Sequence, residues 1–192
     1  MKNREVTEKE KVKNLKTLFL RTMLKDYKVA SVTRSSSYVV RKIINNLDWQ
    51  NKSQTIVEYG PGDGVITREI AKRIEKGKII AVESNESFVK ILKVLKDQRI
   101  TIEHKDVEKF LEEKKVREVD AVISGIPFTF IRQERRERIV NETFNILKGG
   151  GCFVVYQNST LMLPILRKYF PSVKTSFEPR SFLPYFIMKA EK

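Results

Sequence analysis

The sequence predicts an α/β fold: a seven-stranded, mostly parallel sheet with helices on both faces, preceded by an N-terminal amphipathic helix. Three observations carry this. Extended and helical periods alternate from residue 36 to the C-terminus, the pattern that builds parallel strands joined by covering helices. The apolar run Ile56-Val57-Glu58-Tyr59 breaks at Gly60, Gly62 and Gly64 into a helical stretch. Acids close the next two strand regions, Glu83 and Asp106, at the carboxyl edge where open α/β sheets bind ligands.

The elements follow in order. A basic amphipathic helix is expected over 8–27, with Leu15, Leu18, Phe19, Thr22 and Met23 on one face and Lys16, Arg21 and Lys25 away from it. A second helix is expected over 36–47, then strand 55–59, helix 65–76, strand 78–83 and helix 86–96. Strand 99–103, helix 107–114, strand 119–124, helix 132–147 and strand 152–157 come next. A helix over 160–169 and extended pieces over 173–178 and 183–190 complete the chain. In the helix over 132–147, Ile139, Val140, Thr143, Phe144 and Leu147 share a face, and Lys148-Gly149-Gly150-Gly151 reads as its glycine stop. Residues 1–30 are thus read as a docking helix and 31–192 as one ligand-binding domain.

The glycine turn is the centre of the chemistry. Glycines permit backbone angles that side chains oppose, and leave bare main chain for a ligand to lie against. Glu83 stands 19 residues beyond Gly64, where a carboxylate holds a ribose hydroxyl pair. Asp106 follows Glu83 by 23 residues; its carboxylate can accept from an adenine amino group, and it is also a natural cap for the helix that starts there. Gly60, Gly62 and Gly64 are two apart throughout, which departs from the G-x-G-x-x-G spacing of dinucleotide sites. Strand, glycine turn, helix, strand and acid describe an adenosine pocket.

The pattern Glu58-x-Gly60-x-Gly62-x-Gly64 resembles the first motif of class I S-adenosylmethionine-dependent methyltransferases, whose fold is Rossmann-like. That resemblance implies that Glu58, Gly60, Pro61, Gly62 and Gly64 face the amino-acid end of S-adenosylmethionine. It also implies Glu83 and Ser84 at the ribose, Asp106 and the Val107 amide at the adenine, and Ser124 beside the transferring methyl. Enzymes of this class that act on an exocyclic adenine nitrogen carry Asn or Asp, an apolar residue, Pro and an aromatic residue after the fourth strand. This chain has Gly125-Ile126-Pro127-Phe128, which lacks the side-chain acceptor.

Phe19-Leu20-Arg21, Ala30 to Ser36, Val57 to Thr67 and Ser124 to Phe128, with Arg135-Arg136 and Arg180 to Pro184, resemble the bacterial phospholipid N-methyltransferase family, itself similar to ribosomal RNA adenine dimethyltransferases. The similarity runs from about residue 18 to the C-terminus, with departures at Arg34 and over 156–164. It implies N-methylation of an amine head group such as that of phosphatidylethanolamine, a soluble enzyme held peripherally on the inner face of the cell membrane, and a substrate region lined by Tyr27, Ser35, Gly125, Ile126, Pro127 and Phe128. The alternative it leaves open is an RNA methyltransferase acting like the adenine N6-dimethyltransferases. No general base stands out; Tyr27, Tyr38 and Tyr156 are candidates for orienting the amine.

Composition fits these readings. At 192 residues and 41% hydrophobic content the chain supports one α/β core, and a monomer is expected. Net charge is +14, which calls for an anionic partner: a lipid surface or nucleic-acid phosphates. Residues 1–30 alone hold nine basic and four acidic side chains, a helix composition suited to a lipid interface. No 18-residue apolar stretch occurs, so no membrane span is expected, and Met1-Lys2-Asn3-Arg4 leads into charge rather than a signal sequence. Cys152 reads as a core residue with no disulfide partner. The single His104 has no cysteine or histidine cluster around it, so no metal site is expected.

Overall fold

Buried on both faces, the apolar strands pair side by side, as near-continuous runs of Val and Ile require. The computed structural model describes residues 37–51, 53–181 and 183–192; the helix expected over 8–27 lies outside them. In chain order the elements are α1 (Ser37–Ile44), β1 (Ser53–Tyr59), α2 (Val65–Ala71), β2 (Lys76–Glu83), α3 (Glu86–Leu92), β3 (Ile100–His104), α4 (Val107–Glu112) and β4 (Val119–Ser124). Then come α5 (Gln133–Ile146), β5 (Leu147–Gln157), α6 (Leu163–Tyr169), β6 (Ser172–Glu178) and β7 (Tyr185–Glu191). They form one seven-stranded sheet of order β3-β2-β1-β4-β5-β7-β6, parallel throughout except for β7, which runs against both β5 and β6.

Strand alternation divides the core between the two faces. Val57, Tyr59, Val122, Phe153 and Val155 pack with Phe110, Ile139, Val140 and Leu166 of α4, α5 and α6. Ile56, Ile79, Ile123 and Val154 pack with Val39, Ile43, Ile66 and Ile70 of α1 and α2. The chain proceeds from β1 outward through β2 to β3, then returns to β4 on the other side of β1. The strand order therefore reverses between β1 and β4, the place where open α/β sheets leave a crevice.

Element boundaries move for local reasons. The helix expected over 65–76 stops at Ala71 because β2 already begins at Lys76. Gly77 has φ +132, and a Cβ there would lie 2.7 Å from the Gln54 nitrogen, so only glycine lets β2 start this close to β1. The helix expected over 86–96 ends at Leu92 and continues as a 3-10 turn, Lys93–Leu95. At the end of α5 no glycine stop forms. Leu147 is already extended, β5 begins there, and the Lys192 ammonium donates to the carbonyls of Phe144 and Leu147 at 2.8 and 2.6 Å, closing the helix with a cation at its negative end. Gly151 instead serves the sheet, since a Cβ there would press on the Val119 and Asp120 carbonyls at 3.0 and 3.1 Å.

Candidate active site

The tips of β1, β2, β3 and β4 frame a crevice of about 310 Å³ at the strand-order reversal. Backbone hydrogen bonds fix its rim: Gly60 N–H donates to the Val82 carbonyl at 2.9 Å and Gly125 N–H to the Tyr59 carbonyl at 3.0 Å. The glycines of the turn have different jobs. At Gly60 (φ +68) a Cβ would meet Ile126 Cγ2 at 2.8 Å, so its bareness lets the 125–127 loop close against the turn. At Gly62 (φ +56) nothing lies within 4 Å of where a Cβ would stand. That bare surface faces open space, the cradle a ligand lies in.

Two buried carboxyls support the turn. Glu83 is 6% exposed and accepts from Gly62 N–H at 3.1 Å with one oxygen and from Asn85 N–H at 2.8 Å with the other, tying the turn to the start of α3. Burial raises its pKa against those backbone bonds. Glu58 falls on the α2 side of β1, accepts from the Thr67 hydroxyl at 2.6 Å, and leaves Oε1 buried with no partner among the described residues. Burial pushes its pKa up to about 7, with the Thr67 bond opposing and Asp63 and Glu83 adding to the rise. At the β3 edge, Asp106 caps α4 by accepting from Glu108 N–H at 2.9 Å. Arg135, from the first turn of α5, pairs with Glu108 and stands 3.9 Å from Asp106.

Nine of the residues singled out from sequence line this crevice: Gly60, Gly62, Glu83, Ser84, Asp106, Val107, Gly125, Ile126 and Pro127. Glu58, Pro61, Ser124 and Phe128 are buried beneath or beside it, and a Cβ on Gly64 would meet Leu92 Cδ2 at 2.9 Å, so Gly64 serves helix packing. Tyr27 and Ser35 lie outside the described residues. Sequence reasoning missed Asn85, Phe88, Lys105, Phe130 and Ile131 on the walls, and named Arg135 and Ile139 without placing them there. Asn85 could have been found, because it follows the strand-end acid and precedes an apolar period, the position of a helix cap; its side chain accepts from Ser87 and Phe88 N–H.

A second crevice, of about 270 Å³, shares Gly125, Ile126, Pro127 and Phe130 with the first and continues along Tyr156, Gln157, Asn158, Ser159 and Tyr185. Among the described residues its walls carry hydroxyls, carboxamides and aromatic rings and no charged side chain. Asn158 donates to the Pro184 carbonyl at 2.7 Å, joining the two loops that border it.

An open glycine cradle, a buried acid at the second strand tip and an apolar slot formed by Val82, Phe88, Val107 and Ile126 fit the adenosine and sulfonium of S-adenosylmethionine. This is the layout of a class I methyltransferase. Residues 34–141, more than half of the chain, match the family model described as ribosomal RNA adenine dimethylase, and the chain belongs to that family of S-adenosylmethionine-dependent methyltransferases. Among curated relatives, the ornithine lipid N-methyltransferase of Singulisphaera acidiphila is 26% identical over 167 residues, covering 81% of this chain and 84% of the relative. The ribosomal RNA small subunit methyltransferase A of Mycoplasma capricolum is 44% identical over 55 residues, which is 29% of this chain and 20% of that protein. Among solved structures, the N-methyltransferase NodS of Bradyrhizobium japonicum WM9 in complex with S-adenosyl-L-homocysteine has a TM-score of 0.72 at 10% identity, covering 93% of this chain and 97% of NodS. The M. jannaschii TYW2 structure in complex with AdoMet has a TM-score of 0.58 at 16% identity, covering 84% and 78%. These two show the fold alone.

Proposed function

We propose that this enzyme methylates the primary amine of a membrane lipid head group, phosphatidylethanolamine or a lipid of like amine chemistry, while docked on an anionic membrane surface. The observation that carries the reading is the second crevice: it opens from the β4 loop, where the cofactor crevice ends, and its described walls offer neutral oxygen acceptors and rings without a carboxylate. A carboxylate there would hold an amine in its protonated form, whereas a neutral wall favours the uncharged nitrogen that can attack. When bound, S-adenosylmethionine would supply a methyl on a positively charged sulfur, which an amine lone pair would take as the carbon–sulfur electron pair stayed on sulfur and an amine proton was released. The chain's part is placement and exclusion of water. Gly60, Gly62, Glu83, Ser84, Asp106 and Val107 hold the donor, and Gly125, Ile126 and Pro127 form the passage between the two crevices.

Two further facts support a lipid over a nucleobase. Gly125 lacks the side chain with which adenine-specific relatives hold an exocyclic amine. The likeness to a lipid-modifying relative spans most of both chains, whereas that to the ribosomal RNA enzymes spans 55 residues. Among the described residues no helix is long and apolar enough to cross a membrane; the net charge of +14 and the basic segment 1–30 suit an anionic bilayer surface. The RNA reading rests on the family model and on the same positive charge.

Labelled methyl donor supplied with phosphatidylethanolamine vesicles, ornithine lipid vesicles and ribosomal RNA separates the readings. Label in one of the lipids, lost together with vesicle binding when residues 1–28 are deleted, is the expected result. Label confined to RNA overturns the lipid assignment.

A further inference from the structure

In the parallel register that pairs Ser124 with Val155, the next residues along, Gly125 and Tyr156, come side by side. Their contact is tight. A Cβ built on Gly125 would land on the Tyr156 hydroxyl and lie 2.6 Å from its ring carbon Cζ. The phenol therefore fills the space that a side chain at position 125 would occupy, at the junction of the two crevices. The polar group absent from the β4 loop is supplied from the neighbouring strand.

A second observation lies one residue on. Gln157 is 7% exposed and lines the same crevice. Its Nε2 donates to the Ser159 carbonyl at 3.1 Å and the Ser159 hydroxyl at 3.3 Å, which leaves Oε1 as the remaining acceptor. That oxygen is buried without a partner among the described residues. A buried acceptor left open in a folded protein calls for an explanation, and a donor arriving from a bound ligand supplies one.

We propose that Tyr156 and Gln157 position the acceptor amine: the phenol oxygen and the Oε1 of Gln157 accept its N–H groups and turn its lone pair toward the donor at Gly125. Both acceptors are neutral, so they orient the amine without fixing it as an ammonium. The pairing also sets specificity, because Tyr156 excludes any side chain at position 125. A flat base edge that needs an Asn or Asp at position 125 finds a phenol there instead. The assignment rests on the amine-methylation reading above and adds to it the groups that hold the nitrogen.

Tyr156→Phe keeps the ring and its packing 6.2 Å from Tyr185 while removing the hydroxyl, and Gln157→Leu removes the open acceptor. Calorimetry first measures S-adenosylhomocysteine binding, then binding of short-chain phosphatidylethanolamine or short-chain ornithine lipid to that complex. Each variant should bind S-adenosylhomocysteine within twofold of the parent, yet bind the amine about five- to tenfold more weakly, as one hydrogen bond is worth. Gln157→Glu keeps an acceptor oxygen but adds a charge, so the rate against pH should move to higher pH by about one unit or more, a shift that mere packing would not produce. Amine affinity and pH profile unchanged in all three variants would overturn the assignment. Should the parent protein take neither lipid and methylate RNA, the lipid reading fails by itself; the same variants, assayed by KM for RNA, then decide the role of Tyr156 and Gln157, and an unchanged KM removes it.

Discussion

The two crevices that meet at Gly125 are built in opposite ways. The donor side is charged, with Glu83 and Asp106 at strand tips, Lys105 and Arg135 on its walls, and Glu58 buried below. The described walls of the acceptor side hold no charge at all. The donor side comes from the turns after β1, β2 and β3, closed by the loop after β4 and the first turns of α5, whereas the acceptor side is assembled from the loops after β4 and β5 and the start of β7. On the function proposed above, charge serves the cofactor and neutrality serves a nucleophile that must stay unprotonated.

The largest consequence is that stability should depend on pH through the donor side. Glu58 has its folded pKa raised from 4.5 to about 7 by burial, so the folded state binds a proton that the unfolded chain releases earlier. Its contribution is fully present below about pH 4.5 and is lost as pH rises through about 7, a change of up to about 3 kcal/mol. Glu83 is shifted in the same direction and adds to the slope. Chemical denaturation of the ligand-free protein between pH 5 and 8 should show falling stability, and Glu58→Gln should flatten most of that fall. A flat profile in the parent protein would remove the buried carboxyl from the account.

Next in size, Glu83→Ala should weaken S-adenosylhomocysteine binding by about 10- to 100-fold, corresponding to about 1–3 kcal/mol, because it removes both the ribose acceptor and the anchor of Gly62 and Asn85. Affinity measured by calorimetry and unchanged within twofold would contradict the role given to this carboxylate. Gly62→Ala sharpens the contrast between room and function. A Cβ meets nothing within 4 Å there, so unfolding should cost only about 1 kcal/mol less than in the parent, from the positive φ. Product affinity should nevertheless fall about tenfold, since the space belongs to the ligand. Gly149→Ala, equally unobstructed but without a positive φ, is the control and should change neither stability nor binding. The smallest effect is expected from Arg135→Gln. Its side chain is 41% exposed, and its partner Glu108 keeps Arg138 as a second cation, so thermal unfolding should report about 1 kcal/mol or less.

The same contrast explains what could be read from sequence. The donor side was legible because its signals are local: an apolar strand, glycines at alternate positions, an acid closing the next strand. Glu58 and Thr67 were equally local, nine residues apart across one turn, yet their bond needed the three-dimensional fold to be seen. The acceptor side was not legible in that way. Gly125 and Tyr156 are neighbours only through strand register, so Tyr156 stood as one of three tyrosines able to orient the amine, with nothing in the sequence to single it out. Boundaries slipped where a glycine serves strand approach rather than a turn, as at Gly77 and Gly151, because a glycine in sequence does not say which neighbour needs its bareness. Lys192 closing α5 was likewise out of reach, since it is 45 residues from the carbonyl of Leu147.

The account turns on the donor lying over Gly62 with its reactive end at Gly125, where the neutral crevice begins. A crystal structure of the complex with S-adenosylhomocysteine tests this most directly. The predicted result is the adenosine between Glu83 and Asp106, with the sulfur at Gly125 opening toward Tyr156 and Gln157. Product bound elsewhere, or a sulfur directed away from the second crevice, would contradict it.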